Sequence, residues 1–359
     1  MTRPDWSVLL LRILLAPIAL LYGLGVSLRS WLYRVGLLKG FSFDLPVISV
    51  GNLTVGGTGK TPHIEYLVRF LNDYLEIATL SRGYARQTKG FRLVQQGDTA
   101  ATVGDEPLQF KRKFPEIVVA VGESRADAIP QILMAHPDTQ VILLDDAYQH
   151  RSVVPSTNIL LTEYRLPFTE DYLLPVGRLR EWRAAYKRAD LMIVTKCPPV
   201  LPDEERERLY EAIAPQPHQE LFFSYYEYSV PHFIYRPDVG LPLSEDLNVM
   251  VVCAIANSEY LVDYVESNAG YVRTLAYSDH HPFSAYDMGR ITDMFLKWEV
   301  DNKILLTTEK DAMRLDVHRD YILEKRLPIY VLPVEVRFHG NGEKGFREAI
   351  KADLLGFKA

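Results

Sequence analysis

Six consecutive residues, Gly56-Gly57-Thr58-Gly59-Lys60-Thr61, combine the parts that hold a polyphosphate. Glycines let backbone N–H groups turn inward on phosphate oxygens. A lysine reaches the β- and γ-phosphates, and a Thr hydroxyl holds Mg²⁺. An apolar run precedes them and a helical pattern follows, so the partial positive charge of a helix N-terminus adds to the site. The strict pattern has glycine at position 54, where this chain has Thr54. With that one departure, residues Thr54, Val55, Gly56, Gly57, Thr58, Gly59, Lys60 and Thr61 form the nucleotide-binding segment. The chain is expected to bind a nucleoside triphosphate.

Other groups with chemical potential are spread along the chain. Val141–Leu144 is an apolar run ending in Asp145-Asp146, the way a P-loop enzyme sets a metal-side carboxylate at a sheet edge. Gly104-Asp105-Glu106-Pro107 reads as a turn bearing two carboxylates. Gly177-Arg178-Leu179-Arg180-Glu181 begins a basic cluster that runs on through Arg183, Lys187 and Arg188, suited to phosphate charge or to a solvated helix face. The stretch 81–92 is basic and has no acid until Asp98; it is placed to take an anionic substrate group or to be a plain loop. Asp279-His280-His281 holds the one adjacent His pair, with no further ligands at zinc-like spacing.

The elements that must carry these groups alternate. Leu45–Val50, Ile77–Leu80, Ile117–Ala120, Val141–Leu144, Ile159–Leu161 and Leu191–Val194 read as buried parallel strands, most of them separated by helix-length segments. That pattern predicts a doubly wound α/β sheet. Proline-rich stretches around 198–217 and 231–242 read as a boundary or linker. A second strand–helix series follows: strands Val249–Ala254, Val272–Ala276, Lys303–Thr308 and Ile329–Val336, and helices Glu259–Ser267, Tyr286–Glu299 and Gly345–Leu355. The expected divisions are residues 1–40, an N-terminal apolar helix; 41–215, the P-loop lobe; and 216–359, a smaller α/β lobe whose last strand and helix pack back on the first, with a cleft between the lobes.

Composition narrows the function. The chain has 359 residues, 48% hydrophobic and 24% charged, a globular balance for about two domains. A net charge of -6 gives no global attraction to nucleic acid. Two cysteines exclude a disulfide scaffold and fit a reducing compartment. Against that acidic background, residues 1–40 carry Arg3, Arg12, Arg29, Arg34 and Lys39 and one acid, Asp5, for a local charge of +4. Within them, Trp6–Leu28 is apolar apart from Arg12. A buried core helix or a cleaved leader would share that pattern. The basic flanks favour a helix lying in or on an anionic membrane surface.

Taken together the motifs resemble one family, the tetraacyldisaccharide 4'-kinases of lipid A biosynthesis. The resemblance rests on SVGNLTVGGTGKTP (49–62), SRGY (81–84), GDEP (104–107), GESRA (122–126), DDAYQHR (145–151), GRLRE (177–181), DHH (279–281) and TTEKDAMRL (307–315). The family commonly has DDGFQH where this chain has Ala147 and Tyr148; the acidic and His positions are intact. The resemblance implies a P-loop NTPase-like fold and transfer of the γ-phosphate of ATP to the 4'-hydroxyl of a tetraacyldisaccharide 1-phosphate, giving lipid IVA. It implies Asp105 as the catalytic aspartate with His280 as its partner, Lys60 as the P-loop lysine, and Arg125, Arg180, Glu181 and His150 as charge-handling positions. Thr61, Asp145, Asp146 and His150 fall on the Mg²⁺ side. The implied setting is the cytoplasmic face of the inner membrane, with a monomeric enzyme, a lipid disaccharide as partner and no nucleic acid. A soluble P-loop ligase or small-molecule kinase leaves the apolar N-terminus without a task. A GTP switch lacks the guanine-reading acid after Thr195-Lys196-Cys197-Pro198.

Overall fold

The computed structural model describes residues 6–357, so Arg3 and Asp5 of the basic N-terminus lie outside the described residues. The chain forms two compact units. The first takes in the described residues up to Ser81, Ser124–Tyr226 and those from Val336 on; the second takes in Arg82–Glu123 and Glu227–Glu335. A single cut at 215/216 therefore differs from the observed grouping, in which each unit is assembled from more than one stretch of chain.

In the first unit six parallel strands lie in the order Glu220–Tyr228, Leu191–Thr195, Thr157–Glu163, Val47–Asn52, Val141–Asp145, Ile77–Ser81. The four strands Val47–Asn52, Ile77–Ser81, Val141–Asp145 and Leu191–Thr195 are buried at every position. That is why they read as continuous apolar runs: a parallel sheet is covered on both faces. Val47–Asn52 has a neighbour of later chain order on each side, which makes its C-terminal end the switch point where doubly wound sheets hold ligands. The register pairs Val50 with Asp145, so the acidic strand end stands beside the start of the glycine loop.

The stretch around 198–217 is not a linker. It contains the helix Asp203–Ile213, opened by three acidic residues in its first turn and anchored by buried Leu209 and Ile213. Prolines before and after it mark its ends and not an absence of structure. Likewise the expected strand Ile329–Val336 is two strands, Ile329–Leu332 and Val334–Phe338, with Pro333 between them unable to donate to a ladder.

The second unit is built on strands Asn248–Cys253, Val272–Ala276, Lys303–Thr308 and Ile329–Leu332, all parallel, with two short antiparallel strands, His232–Phe233 and Arg236–Gly240, at one edge. Here GDEP is not a free turn: Asp105 is the first residue of the helix Asp105–Lys113, which has acids in its first turn and three cations in its last. Gly104 before it has φ of 95°, and a Cβ there would lie 3.2 Å from both the Gly83 Cα and the Tyr84 carbonyl. Only glycine lets the 83–84 backbone come that close to the helix start.

The N-terminal helix, Trp6–Arg34, belongs to the first unit. One strip of it is held by polar contacts. The Tyr22 hydroxyl donates to the Arg180 carbonyl (2.9 Å), Trp182 Nε1 donates to the Gly23 carbonyl (3.2 Å) and to Ser27 Oγ (2.9 Å), and Arg29 donates to the Gln149 carbonyl (2.9 Å). Elsewhere Leu10, Leu14, Leu21, Leu24 and Leu28 are exposed. The helix is long and apolar enough to cross a membrane.

Candidate active site

The first cluster surrounds the phosphate loop. Gly56 and Gly59 have φ of 111° and 89°, conformations that glycine adopts freely. Thr54 is not among the positive-φ residues, so the departure from glycine there carries no backbone strain. The loop is fixed from three sides. Asn52 Nδ2 donates to Thr58 Oγ1 (2.8 Å) and Thr195 Oγ1 donates to the Thr58 carbonyl (2.9 Å). Leu179 forms a bridge with Thr54, while Val55 N donates to the Arg178 carbonyl and Arg180 N to the Leu53 carbonyl. Behind the loop, buried His63 lies 2.7 Å from the Gly59 carbonyl through Nδ1 and 3.1 Å from Ser224 Oγ through Nε2. A carbonyl only accepts, so Nδ1 carries the proton and Nε2 accepts from the serine. Burial lowers this imidazole to about 4, and it is neutral at pH 7.

Three charges meet in front of the loop. Lys60, the first residue of the helix Lys60–Leu71, places Nζ 3.6 Å from Asp146 Oδ1. Arg180 forks onto the same carboxylate, NH2 to Oδ1 at 2.8 Å and NH1 to Oδ2 at 3.2 Å, and also donates to the Asn52 carbonyl (3.1 Å) and side-chain Oδ1. Burial by itself would raise the Asp146 carboxyl, but Lys60 and Arg180 outweigh it and hold it well below the usual range. Asp146 remains 39% exposed and the Lys60 side chain 15% exposed, so both can be reached.

Other expected residues face inward. Arg125 is 1% exposed and donates to the Asp145 carbonyl (3.3 Å), bracing the acidic strand end from below. Glu181 is buried and accepts two hydrogen bonds from Arg188 (2.8 and 3.2 Å), so adjacent Arg180 and Glu181 serve different partners. His150 is half-buried, near enough to Asp146 to help hold that carboxyl down. Among the described residues no three His, Cys, Asp or Glu side chains gather as a ready metal nest.

The second cluster lies within the second unit. His280 Nδ1 is 3.3 Å from Asp105 Oδ2, and the same oxygen accepts from Arg314 Nε (2.7 Å), with Arg314 NH2 2.6 Å away in the ion pair. Asp105 Oδ1 accepts from the Glu106 backbone N–H (2.9 Å). Burial would raise this carboxyl, but the contact with His280 and the cations of Lys310 and Arg314 overcome it and leave it well below the ordinary carboxylate range. Arg314 is itself located by Asp311 Oδ1 and the Ala254 carbonyl, both at 2.8 Å. The Ala254 carbonyl also receives the His280 N–H (3.2 Å). His280 has φ of 58°, a left-handed conformation uncommon for a side chain with a Cβ. Tyr84 covers its ring at 4.6 Å between centroids.

Sequence reading passed over Arg314, Lys310, Asn52 and His63. Arg314 and Lys310 stand in TTEKDAMRL, where Thr308 caps the helix Glu309–Leu315 and Asp311 and Arg314 pair at i, i+3. That spacing was a usable signal for a local pair, but not for its grip on Asp105.

A P-loop beside a strand-end aspartate, in a doubly wound parallel sheet, defines a P-loop phosphotransferase-type fold. The family model for tetraacyldisaccharide-1-P 4'-kinase (LpxK) matches residues 11–355. A tetraacyldisaccharide 4'-kinase of Phocaeicola vulgatus is 41% identical over 343 residues, 94% of this chain and 93% of that relative. One of Flavobacterium johnsoniae is 42% identical over 331 residues, 92% and 93% of the two chains. A crystal structure of Aquifex aeolicus LpxK in complex with ATP superposes with a TM-score of 0.73 at 26% identity, covering 96% of this chain and 99% of that one. The chain belongs to the tetraacyldisaccharide 4'-kinase family, and is an ATP-dependent lipid kinase of lipid A biosynthesis.

Proposed function

We propose that the two clusters divide the family reaction, phosphorylation of the 4'-hydroxyl of a tetraacyldisaccharide 1-phosphate, between donor and acceptor. The observation that carries this reading is the Asp105–His280 contact, a buried carboxylate and an imidazole brought together from distant parts of the sequence. On the donor side the loop Thr54–Thr61 cradles the triphosphate and Lys60 reaches the γ-phosphate. Arg180, whose guanidinium fork fits a carboxylate or a phosphate alike, covers charge on the transferring group. Arg125 and Glu181 hold the strand end and the Arg180 turn in place.

The residues present fit a Mg²⁺ ion arriving with ATP. Thr61 and the carboxylates of Asp145 and Asp146 are hard oxygen donors, few enough to leave the ion its phosphate and water ligands, with His150 alongside. When bound, the ion neutralises charge on the β- and γ-phosphates.

On the acceptor side the sugar O–H breaks as the new O–P bond forms; ADP leaves with the electron pair, and the proton goes to Asp105. Phosphoryl transfer has a loose transition state, in which the hydroxyl becomes acidic late. A weakly basic carboxylate is then sufficient, provided it is aimed, and Arg314 and His280 aim it. The exposed apolar helix would keep a monomeric enzyme on the cytoplasmic face of the inner membrane, where the acyl chains stay in the bilayer.

Transfer of radiolabelled γ-phosphate to tetraacyldisaccharide 1-phosphate in detergent, with and without Mg²⁺, tests the assignment. A labelled lipid that requires Mg²⁺ is expected. Steady phosphate release without labelled lipid would overturn the acceptor-side reading.

A further inference from the structure

Beyond its charge beside Asp105, Lys310 in the second cluster has no assigned task, although it touches three other groups. Its Nζ lies 2.8 Å from Glu106 Oε1, 3.3 Å from His280 Nε2 and 4.0 Å from Asp105 Oδ2. We propose that Lys310 is a positioning residue that locks His280 in the tautomer protonated on Nδ1, so that the imidazole can only donate to Asp105.

An ammonium has three donors and no acceptor. Facing it at hydrogen-bond distance, Nε2 must present its lone pair, which leaves the single proton of the neutral ring on Nδ1, 3.3 Å from Asp105 Oδ2. The residue is also held from outside the ring's polar contacts, by Tyr84 over the face of the imidazole and by the His280 backbone N–H on the Ala254 carbonyl. The lock has a visible competitor. Asp279 Oδ2 lies 3.7 Å from the same Nε2, and a carboxylate there favours a proton on Nε2. Lys310, nearer and of opposite sign, decides the contest, and Glu106 holds Lys310 in place while Arg314 secures the same Asp105 oxygen. With Nδ1 already protonated, His280 cannot receive the proton that Asp105 takes from the sugar. It orients the carboxylate and does not relay.

The proposal deepens the catalytic reading of Asp105 and rests on it, so its test reads the ring separately from the activity. In ¹⁵N-histidine-labelled full-length protein, with the His280 signals assigned by comparison with His280→Asn, Nε2 is expected to show the shift of an unprotonated nitrogen. In Lys310→Met, Nε2 is expected to gain a proton and kcat to fall about 10- to 100-fold with the KM for ATP unchanged. Lys310→Arg, which keeps a donor, should restore the unprotonated Nε2. A protonated Nε2 in the wild-type protein overturns the lock before any variant is made, and so does an unprotonated Nε2 in folded Lys310→Met. A proton gained on Nε2 with kcat unchanged would leave the lock standing and overturn the catalytic role of the Asp105–His280 pair.

Discussion

The two clusters reach precision by opposite routes. The phosphate loop is one continuous stretch whose shape is set by backbone: two left-handed glycines, a strand behind and a helix in front, with neighbouring chain bonded to its carbonyls and N–H groups. Its charged side chains stay within reach of solvent. The Asp105 cluster is made of side chains from four separate segments, and the central carboxylate is 6% exposed with its oxygens occupied by cations and N–H donors. A site for a flexible, highly charged ligand such as a triphosphate gains from an open cradle with an exchangeable counter-ion. A site that takes one proton gains from a buried, over-determined carboxylate.

The sharpest way to break the comparison is at its two centres. Lys60→Ala should lower transfer by at least about 10³-fold, since a cation aimed at the charge of the transferring group is lost; near-normal turnover would refute the cradle. Asp105→Ala should lower kcat about 10²-fold with ATP affinity largely kept, the signature of a lost proton acceptor. A raised KM for lipid with kcat intact would make Asp105 a binding residue instead.

Acid separates the clusters more gently. His63 has an ordinary value of 6.5 and a folded value of about 4, so the unfolded chain binds its proton first as pH falls. Stability is fully present above about 6.5 and drains away between 6.5 and 4. Asp105 is depressed, so its contribution persists down to the ordinary carboxylate range and is lost only below it. Urea midpoints at pH 7, 5.5 and 4.5 should therefore fall, and the fall should flatten in His63→Gln. An unchanged slope in that variant would remove His63 as its source. The smallest effect is expected for Tyr22→Phe, which deletes one hydrogen bond to the Arg180 carbonyl, worth about 1 kcal/mol. It should shift the KM for ATP no more than a few-fold and leave the lipid KM alone.

The difference between the clusters also governs how much of each could be read from the sequence. The loop was legible because glycine spacing, strand and helix are all local, and the strand-end aspartates carry their own apolar run. Asp105 and His280 were named only through resemblance, since nothing in a GDEP or a DHH announces that the two meet. The grip of Arg314 on Asp105 and of Lys310 on His280 is set by long-range packing of the helices Asp105–Lys113 and Glu309–Leu315. In the fold, strand positions were clear where the sheet is buried on both faces. The helix Asp203–Ile213 was hidden by flanking prolines, and the membership of residues 82–123 in the second unit has no local mark.

The contacts from Tyr22, Gly23 and Ser27 to Arg180 and Trp182 have a practical side for anyone who wants this enzyme in water. Shaving off the greasy N-terminal segment is the obvious route to a soluble catalyst, yet it would also strip away the splint on the turn that carries Arg180. A better redesign keeps Tyr22, Gly23 and Ser27, and recolours only the outward leucines with glutamate and lysine, so that the greasy surface is lost and the splint stays.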